Sequence, residues 1–225
     1  FGNSMDKILT FSEAVATQIK KTIKKKILTG FHPIPSKKKF KVSESKNYSK
    51  TEFDFVLFFG LVRKYKGLKT LINSMKYNHN FKLLVVGEFY DNKNKYLNLI
   101  EKLNLKERVN IVDKFVGNEE IINYFTKTKA VILPYKTASQ SGVISLSYLF
   151  EKPIVVSNLE GLTSYVKDDN SGVIFNNTSK DLANAINIVL DKKNNYHYSR
   201  NIKKSKKKYS WNRFADELVR FTLNT

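Results

Sequence analysis

Short apolar segments rich in branched residues alternate with segments of helical length from residue 53 of this 225-residue chain onward. Such apolar segments suit strands that are buried on both faces of a parallel sheet. Their alternation with helices predicts an α/β fold with a doubly wound, Rossmann-like parallel sheet, whose ligands bind at the carboxyl ends of the strands. The predicted strands are 53–59, 81–87, 109–112, 131–133, 153–157 and 173–175, and the predicted helices are 66–77, 93–103, 118–126, 143–150 and 179–190.

Two loops at the predicted carboxyl edge have the composition of anion-binding loops. Residues 60–67 begin and end with glycine and carry Arg63, Lys64 and Lys66. Residues 137–142 are small and rich in hydroxyl groups, and a predicted helix follows them directly. An ordinary capped helix and a few exposed cations would give the same two sequences. If the two loops converge, their cations, hydroxyl groups and free helix N–H groups favour a phosphate or diphosphate.

The chain is strongly basic, with 40 Lys and Arg residues against 20 Asp and Glu residues and a formal net charge of +20. This excess fits nucleic acid or an anionic membrane surface as a partner, and it fits equally a compositional bias in which lysines solvate the surface. The run 203–209 is accordingly either the solvated end of a helix or a docking site for anionic lipid. No recognised nucleic-acid-binding motif accompanies the charge, so nucleic acid is not expected as a partner.

Residue types that build other kinds of site are absent or wrongly spaced. The chain has no cysteine, which excludes disulfide bonds and thiolate metal sites and fits a reducing compartment, the cytoplasm. His32, His79 and His197 have neither metal-ligand spacing nor a Ser or Cys partner in a known motif. No apolar run reaches membrane-spanning length. We therefore expect neither a metal site nor a cofactor.

The first 50 residues differ in pattern from the rest. Residues 5–26 predict a helix with a strongly basic end, and residues 27–35 predict a strand that runs into a turn. Residues 36–50 are polar and charged, with Phe40, Val42 and Tyr48 as their large apolar residues. This composition predicts a linker.

From about Ile27 to the end, a series of motifs in conserved order resembles the C-terminal, nucleotide-sugar-binding domain of two-domain GT-B glycosyltransferases, especially the retaining family 4 group. Residues 58–67 resemble that family's glycine loop with Arg and Lys on the donor diphosphate, and residues 83–87 its next strand and glycine. Residues 115–122 are similar to the segment beside the nucleotide base. Residues 130–157 resemble the loop, helix and strand that hold the donor, and residues 209–213 the lead into the terminal helix.

The resemblance implies roles for individual residues. Arg63 and Lys66 would act catalytically by neutralising the diphosphate, without a metal. Glu120 would meet a ribose or base edge, or would simply favour the dipole of its helix. The other donor-binding residues that the resemblance implies are Gly60, Gly87, Phe115, Val116, Thr137, Ser139, Gln140, Ser141, Gly142 and Val143.

The sequence departs from the family pattern at several positions. Ser139 and Ser147 stand where the commonest pattern has two glutamates, and Ser164 stands where a glutamate is frequent. Leu61 replaces the usual arginine after the first glycine, which leaves Arg63 as its substitute. Residues 140–143, Gln-Ser-Gly-Val, match a variant loop found in a subset of the family. These departures affect the contacts to sugar hydroxyl groups and leave the diphosphate site intact.

The resemblance further implies one half of a GT-B fold. Residues 1–50 would be the remnant of a preceding acceptor domain plus a linker, 51–200 the nucleotide-sugar-binding domain, and 201–225 a C-terminal helix that packs back towards the missing N-terminal domain. The implied activity is transfer of a hexose, with retention, from a UDP- or GDP-linked donor to a glycan or lipid-linked acceptor of a bacterial surface, with peripheral contact to the anionic inner face of the membrane. The first alternative is a degenerate domain that binds a sugar nucleotide or a partner without transfer. The second is a GT-B protein of another activity, such as a sugar-nucleotide epimerase, or a basic nucleic-acid binder.

Overall fold

A computed structural model describes residues 6–36, 40 and 55–223. The predicted linker at 36–50 lies outside the described residues except for Ser36 and the buried Phe40. The predicted helix at 5–26 is wrong in its first part, because strand β1 (Lys7–Thr10) precedes helix α1 (Glu13–Thr22). Ser12 causes this break, since its hydroxyl group accepts a hydrogen bond from Val15 N and caps α1. The predicted strand at 27–35 is confirmed as β2 (Lys26–Thr29), which pairs with β1 in parallel.

The doubly wound sheet is confirmed. Six parallel strands lie in the order β5-β4-β3-β6-β7-β8. The chain builds outward from β3 to one side and then returns to build outward from β6 on the other, so β3 and β6 form the switch point at which ligands of such sheets bind. The strands are β3 (Phe55–Phe59), β4 (Lys82–Val86), β5 (Val109–Val112), β6 (Thr128–Leu133), β7 (Ile154–Ser157) and β8 (Gly172–Phe175).

The central strands are buried on both faces. Val56 and Phe58 of β3 pack into the core on one side of the sheet, whereas Leu57 packs into the core on the other side. This alternation explains the continuous apolar segments of the sequence. The helices that cover the sheet or follow it are α2 (Leu68–Ser74), α3 (Lys93–Lys102), α4 (Asn118–Lys127), α5 (Gly142–Leu149), α6 (Glu160–Asp169), α7 (Ser179–Leu190), α8 (Lys192–Ser205) and α9 (Trp211–Leu223).

Helix α8 lies along the amino-terminal edge of the sheet, opposite the switch-point loops. Asn195 donates to the carbonyl of Lys129 at the start of β6, and Asn201 donates to the carbonyl of Asn170 just before β8. Lys206, which follows α8, contacts Glu151 just before β7 at 2.8 Å. The basic surface of α8 is therefore remote from the carboxyl ends of the strands.

A buried carboxylate fixes the chain after α8. The Asp169 side chain is fully buried and accepts hydrogen bonds from Lys208, Tyr209 and Tyr148 at 2.7, 2.7 and 2.9 Å. Burial alone would raise the pKa of Asp169, but these hydrogen bonds outweigh it and hold the pKa below its ordinary value. The cluster ties the end of α6 to α5 and to the 3-10 turn Lys206–Tyr209 that leads into α9.

Helix α9 packs on the N-terminal segment that precedes the sheet. The Phe214 ring contacts the rings of Phe11 and Phe31 at centroid distances of 5.8 Å. Lys7 Nζ donates to the carbonyl of Thr222 at 2.8 Å. The predicted C-terminal helix therefore exists and contacts the first strands of the chain; the three-part division of the chain stays a prediction.

Candidate functional site

Loop 60–67 leaves the end of β3 through a glycine that makes room for a lysine. Gly60 has φ +93°, which favours glycine, and a Cβ atom there would lie 3.0 Å from Lys66 Nζ. The same Cβ would lie 3.9 Å from Val143 Cγ2 at the start of α5. Gly60 therefore lies between the Lys66 ammonium group and the first turn of α5.

Lys66 is the most unusual charged residue of this region. Its side chain is buried, with 9% of the residue exposed, and no carboxylate pairs with it in the described part of the chain. Burial, with the charge of Arg63 as a second cause, lowers the pKa of Lys66 to about 8. Its ammonium group lies 5.6 Å from the centre of the Tyr135 ring. A buried cation without a counter-ion is costly unless an anion binds it.

Arg63 belongs to the same turn but is exposed. Its guanidinium group lies 5.1 Å from the centre of the Tyr90 ring, in the loop after β4. The two loops are joined by backbone hydrogen bonds between Val62 and residues 88 and 90. A Cβ atom on Gly87, whose φ is +145°, would lie 2.2 Å from the Gly60 carbonyl oxygen. Gly87 thus permits the loop after β4 to approach the loop that carries Arg63.

Helix α5 presents its amino end on the other side of Gly60. Ser141 caps the helix, and its hydroxyl group accepts from Val143 N at 3.3 Å. The buried Tyr135 hydroxyl lies 3.1 Å from Ser141 Oγ. Burial raises the pKa of Tyr135 to about 12, so this hydroxyl group stays protonated at neutral pH. A Cβ atom on Gly142 would meet no atom within 4 Å, so the first turn of α5 is open to a ligand.

The two predicted anion-binding loops are in direct contact. Gly67 has φ +73°, and a Cβ atom there would lie 1.8 Å from the Pro134 carbonyl oxygen. Lys136 N donates to the Tyr65 carbonyl at 2.7 Å. These contacts hold the Lys66 turn against the loop that leads into α5, so Gly60, Lys66, Ser141, Gly142 and Val143 share one site.

The predicted base-binding segment lies at the same edge of the sheet, after β5. Phe115 is 78% exposed, and Val116 is buried. Glu120, in the first turn of α4, contacts Lys114 at 2.5 Å. These three residues follow β5, which lies two strands from β3 in the sheet.

Ser139 and Gln140 line a cavity that we call the junction cavity. It has a volume of about 270 Å³ and lies between the N-terminal segment and α6. A Cβ atom on Gly161 would lie 1.8 Å from the Ser139 carbonyl oxygen, so α6 packs directly against this loop. The Gln140 side-chain oxygen is buried without a hydrogen-bond partner among the described residues. The polar and charged residues of the cavity lining are Ser12, Glu13, Thr29, Ser139, Gln140, Glu160, Ser164 and Asp168, and the aromatic ones are Phe11, Phe31, Tyr165 and Tyr209.

Thr137 lies in a groove beside the junction cavity. Ser147 lines neither the groove nor the cavity. The groove has a volume of about 470 Å³ and is lined by Val15, Gln18, Tyr65 and residues 137–139. Ser147 is fully buried, and its hydroxyl group donates to the Val143 carbonyl at 2.9 Å. Ser147 therefore cannot supply the contact of a glutamate at that position.

A comparison with family models decides the classification: the model of the family "Glycosyl transferases group 1" matches residues 39–208 of the 225. The chain belongs to this family. No curated protein sequence matches this group 1 domain.

Solved structures agree with this family assignment at the level of fold. The domain is similar to sucrose-phosphate synthase from Thermosynechococcus elongatus, with a TM-score of 0.84 and 18% identity over 98% of this chain and 58% of the other. It is similar to Anabaena Alr3699/HepE in complex with UDP, with a TM-score of 0.83 and 18% identity over 100% of this chain and 65% of the other. It is also similar to a glycosyltransferase from Rickettsia africae, with a TM-score of 0.83 and 16% identity over 98% of this chain and 64% of the other. The chain thus has the fold of a GT-B glycosyltransferase domain and spans less than two thirds of the length of these structures.

Several residues of the group 1 site were not predicted from the sequence. Tyr135 contacts both Lys66 and Ser141. It lies just after the predicted strand 131–133, and no sequence motif marked it as a site residue. Phe11 and Glu13 line the junction cavity although they lie far from the donor loop in sequence. No pattern within one segment signals such contacts, because they depend on tertiary packing.

Other kinds of site find no support in the described residues. Residues 6–36, 40 and 55–223 contain no group of three or more His, Cys, Asp or Glu side chains that could hold a metal ion. In the same residues, no helix is both long enough and apolar enough to span a bilayer.

Proposed function

We propose that this group 1 domain is the donor-binding half of a hexosyltransferase of the GT-B, family 4-like kind, with the Gln-Ser-Gly-Val variant of the donor loop. It would bind a UDP- or GDP-linked sugar and transfer the sugar, with retention, to a glycan or lipid-linked acceptor of a bacterial surface. HepE, a similar structure, is known in complex with UDP and with UDP-glucose. TarM, another similar structure, is known in complex with UDP, and these complexes support a nucleotide-linked donor here.

The buried, unpaired Lys66 is the observation that carries this proposal. A diphosphate between Gly60 and the amino end of α5 supplies the counter-ion that Lys66 lacks among the described residues. The amino end of α5 adds a favourable helix dipole and backbone N–H groups, among them Val143 N, which a phosphate oxygen could bind in place of the Ser141 hydroxyl cap. Arg63, at the exposed rim of the same turn, adds a second positive charge. The site therefore suits a ligand with two linked phosphates.

The same groups favour departure of the nucleotide. When the bond between sugar and diphosphate breaks, negative charge develops on the leaving oxygen. Lys66 and the first turn of α5 lie on either side of Gly60, so a diphosphate bound there would have this charge stabilised by groups that the fold already holds in place. We propose that this electrostatic stabilisation requires no metal or cofactor. We assign activation of the acceptor to groups on the far side of the junction cavity, where the N-terminal segment lines it.

The junction cavity suits the transferred sugar. Ser139 and Gln140 line it directly after the donor loop, so a sugar linked to the diphosphate would reach it. Exposed carboxylates of Glu160 and Asp168 are acceptors for sugar hydroxyl groups. These residues stand in place of the glutamates that the family pattern has at positions 139 and 164.

A sugar-nucleotide-binding or partner-binding scaffold without activity is the second candidate. The Ser147 hydroxyl group is buried and donates to the Val143 carbonyl, so it is not available to a sugar hydroxyl group. A domain that lacks this family carboxylate would still bind the diphosphate through Lys66. Binding without turnover, in the presence of the acceptor, would identify this case.

We further propose peripheral contact with the anionic inner face of a membrane through α8. Tyr196 is 70% exposed on this helix, between the cations of Lys192 and Lys193 and those of Arg200, Lys203 and Lys204. Clustered lysines attract anionic lipid, and exposed tyrosine suits the headgroup region.

A titration with nucleotides tests the donor site. UDP, GDP and ADP are titrated calorimetrically and by thermal shift into the wild type and into Arg63→Ala and Lys66→Ala. We expect one nucleotide to bind and both substitutions to weaken it, because a ligand of the native state raises stability with its occupancy. Lys76→Ala, at an exposed lysine after α2, is the control and should bind like the wild type. If none of the nucleotides binds, or if Lys66→Ala binds like the control, the donor-site proposal is wrong.

A further inference from the structure

Five lysines line a groove on the outer rim of the Lys66 turn. The groove, which we call the lysine groove, has a volume of about 470 Å³, and Leu99 and Tyr96 form part of its wall. The lysines come from the turn itself, from α2, from α3 and from the loop after β6, so convergence of separate elements creates the groove. They are Lys64, Lys69, Lys95, Lys102 and Lys136.

The groove carries little negative charge to balance these lysines. Asp91 is the one carboxylate in its lining, and it lies 3.5 Å from Lys95. Asp91 also accepts a hydrogen bond from the Tyr96 hydroxyl at 2.9 Å. No other carboxylate pairs with the five lysines within residues 6–36, 40 and 55–223. A concave surface with one dominant sign of charge focuses the potential and attracts an anionic ligand.

The groove that contains Thr137 lies between the lysine groove and the junction cavity. The groove that contains Thr137 shares Ser139 with that cavity. At its other end lie Tyr65 and Thr137, whose chain neighbours Lys64 and Lys136 line the lysine groove. The hydrogen bond from Lys136 N to the Tyr65 carbonyl holds together the two segments that border both grooves. Tyr65 is 41% exposed, so an aromatic face lies in the Thr137 groove.

We infer that the acceptor is an extended anionic glycan whose phosphate or carboxylate groups bind the lysine groove while its growing end lies in the junction cavity. The identity of this ligand as an acceptor rests on the proposed function. Three neighbouring spaces along one side of the chain suit a single extended chain of sugars. A flat bilayer surface cannot enter a concave groove, and it would meet the exposed face of α8 instead.

Binding of a defined polyanion tests the inference. A fluorescently labelled poly(glycerol phosphate) oligomer is titrated into the full chain, with maltoheptaose as the neutral competitor. The variant Lys69→Gln/Lys95→Gln/Lys102→Gln removes three groove lysines and leaves the donor loops untouched. The control Lys192→Gln/Lys203→Gln/Lys204→Gln removes the same charge from α8 at the opposite edge of the sheet. We expect the groove variant to bind the oligomer about tenfold more weakly, or about 1.4 kcal/mol, the control to stay within about twofold, and maltoheptaose not to compete.

The outcomes separate this inference from the proposed function. Equal losses in the two triple variants, or no binding of the oligomer by the wild type, would overturn the inference. Groove-dependent binding that is tighter to phosphatidylglycerol vesicles or to single-stranded DNA than to the oligomer would also overturn it. The wild type and both triple variants could bind nucleotide while oligomer binding does not depend on the groove lysines. That result would support the donor site and contradict the glycan-binding role of the lysine groove. Groove-dependent oligomer binding in a chain that binds no nucleotide would support the anionic-glycan site and contradict the donor site.

Discussion

The Lys66 ammonium group lies 5.6 Å from the centre of the Tyr135 ring, and Tyr135 in turn contacts the Ser141 hydroxyl at 3.1 Å. Lys66 follows strand β3, whereas Tyr135 and Ser141 follow β6. The aromatic ring thus connects the lysine of one loop with the helix cap of the other. This contact replaces the counter-ion that Lys66 lacks in the described structure, but a cation–π contact recovers only part of the cost of burial.

Replacement of Lys66 should therefore stabilise the unliganded chain while it removes nucleotide binding. Met fills a similar volume without a charge, and the lowered pKa of Lys66 corresponds to a penalty on the order of 3 kcal/mol at pH 7. We expect Lys66→Met to raise the free energy of unfolding by about 1–3 kcal/mol and to weaken nucleotide binding about 30-fold or more. Urea denaturation and calorimetry measure the two effects, with Lys76→Met as the exposed control. A loss of stability above that of the control would contradict the assignment of Lys66 as an uncompensated buried charge.

The stability of the wild type should rise with pH in the window that Lys66 defines. The folded-state pKa of about 8 lies below the unfolded value of 10.5, so the unfolded chain binds more protons between these two values. The penalty is therefore fully present below pH 8 and disappears as the pH approaches 10.5. Lys66→Met should lack this rise, and the difference between the two denaturation curves from pH 7 to 10 measures it. Parallel curves for the two proteins would rule out titration of Lys66 in this range.

Nucleotide affinity should show the opposite trend. A diphosphate interacts with the protonated form of Lys66, so binding to the free protein weakens as the pH rises above about 8. Isothermal titrations at pH 7, 8 and 9 in buffers of different ionisation enthalpy should also reveal proton uptake on binding above pH 8. Lys66→Arg, which stays protonated, should bind with a nearly flat pH profile. An equally steep decline in Lys66→Arg would assign the pH dependence to another group.

The sequence predicted the fold through its periodicity and the site through its motifs. The predicted strand at 109–112 and helix at 179–190 match β5 and α7 residue for residue, because their apolar patterns are those of a buried strand and a one-sided helix. Helix α6 was missed, although a parallel pair such as β7 and β8 requires a crossover element between them. The rule that parallel strands need a crossover element would therefore have predicted α6, although the local composition signals it only weakly.

The geometry of the candidate donor site was harder to predict than the sheet. Arg63 and Lys66 stand three residues apart in a basic segment, yet one is exposed and the other is buried. The difference arises because Gly67 packs against Pro134 and brings Lys66 under the loop that leads into α5. Burial of this kind depends on an approach between two loops that are about 70 residues apart, and no property of either segment alone specifies it.

The buried Asp169 should make the chain sensitive to acid. Its pKa lies below the ordinary value, so its contribution to stability is fully present above the unfolded pKa and is lost as the pH falls through the folded one. We expect Asp169→Asn to cost about 2–3 kcal/mol at pH 7, since Lys208 and two tyrosine hydroxyl groups lose a charged acceptor. Between pH 5 and 3 the wild type should lose more stability than this variant. Glu107→Gln, at an exposed position, is the control, and an equal acid response in the wild type and Asp169→Asn would contradict the role of Asp169.

Two glycines of the site should respond in opposite ways to the same substitution. A Cβ atom on Gly67 would lie 1.8 Å from the Pro134 carbonyl oxygen at a positive φ, so Gly67→Ala should cost about 2 kcal/mol or more of stability. A Cβ atom on Gly142 would meet no protein atom within 4 Å, and this residue begins α5, so Gly142→Ala should fold with unchanged or slightly higher stability. If a phosphate approaches the helix N–H groups through this open space, as we propose, the added methyl group should lower nucleotide affinity about tenfold. Thermal denaturation measures the stability of the two variants, and nucleotide titration measures their affinity. If Gly142→Ala binds nucleotide like the wild type, the phosphates do not bind at the amino end of α5.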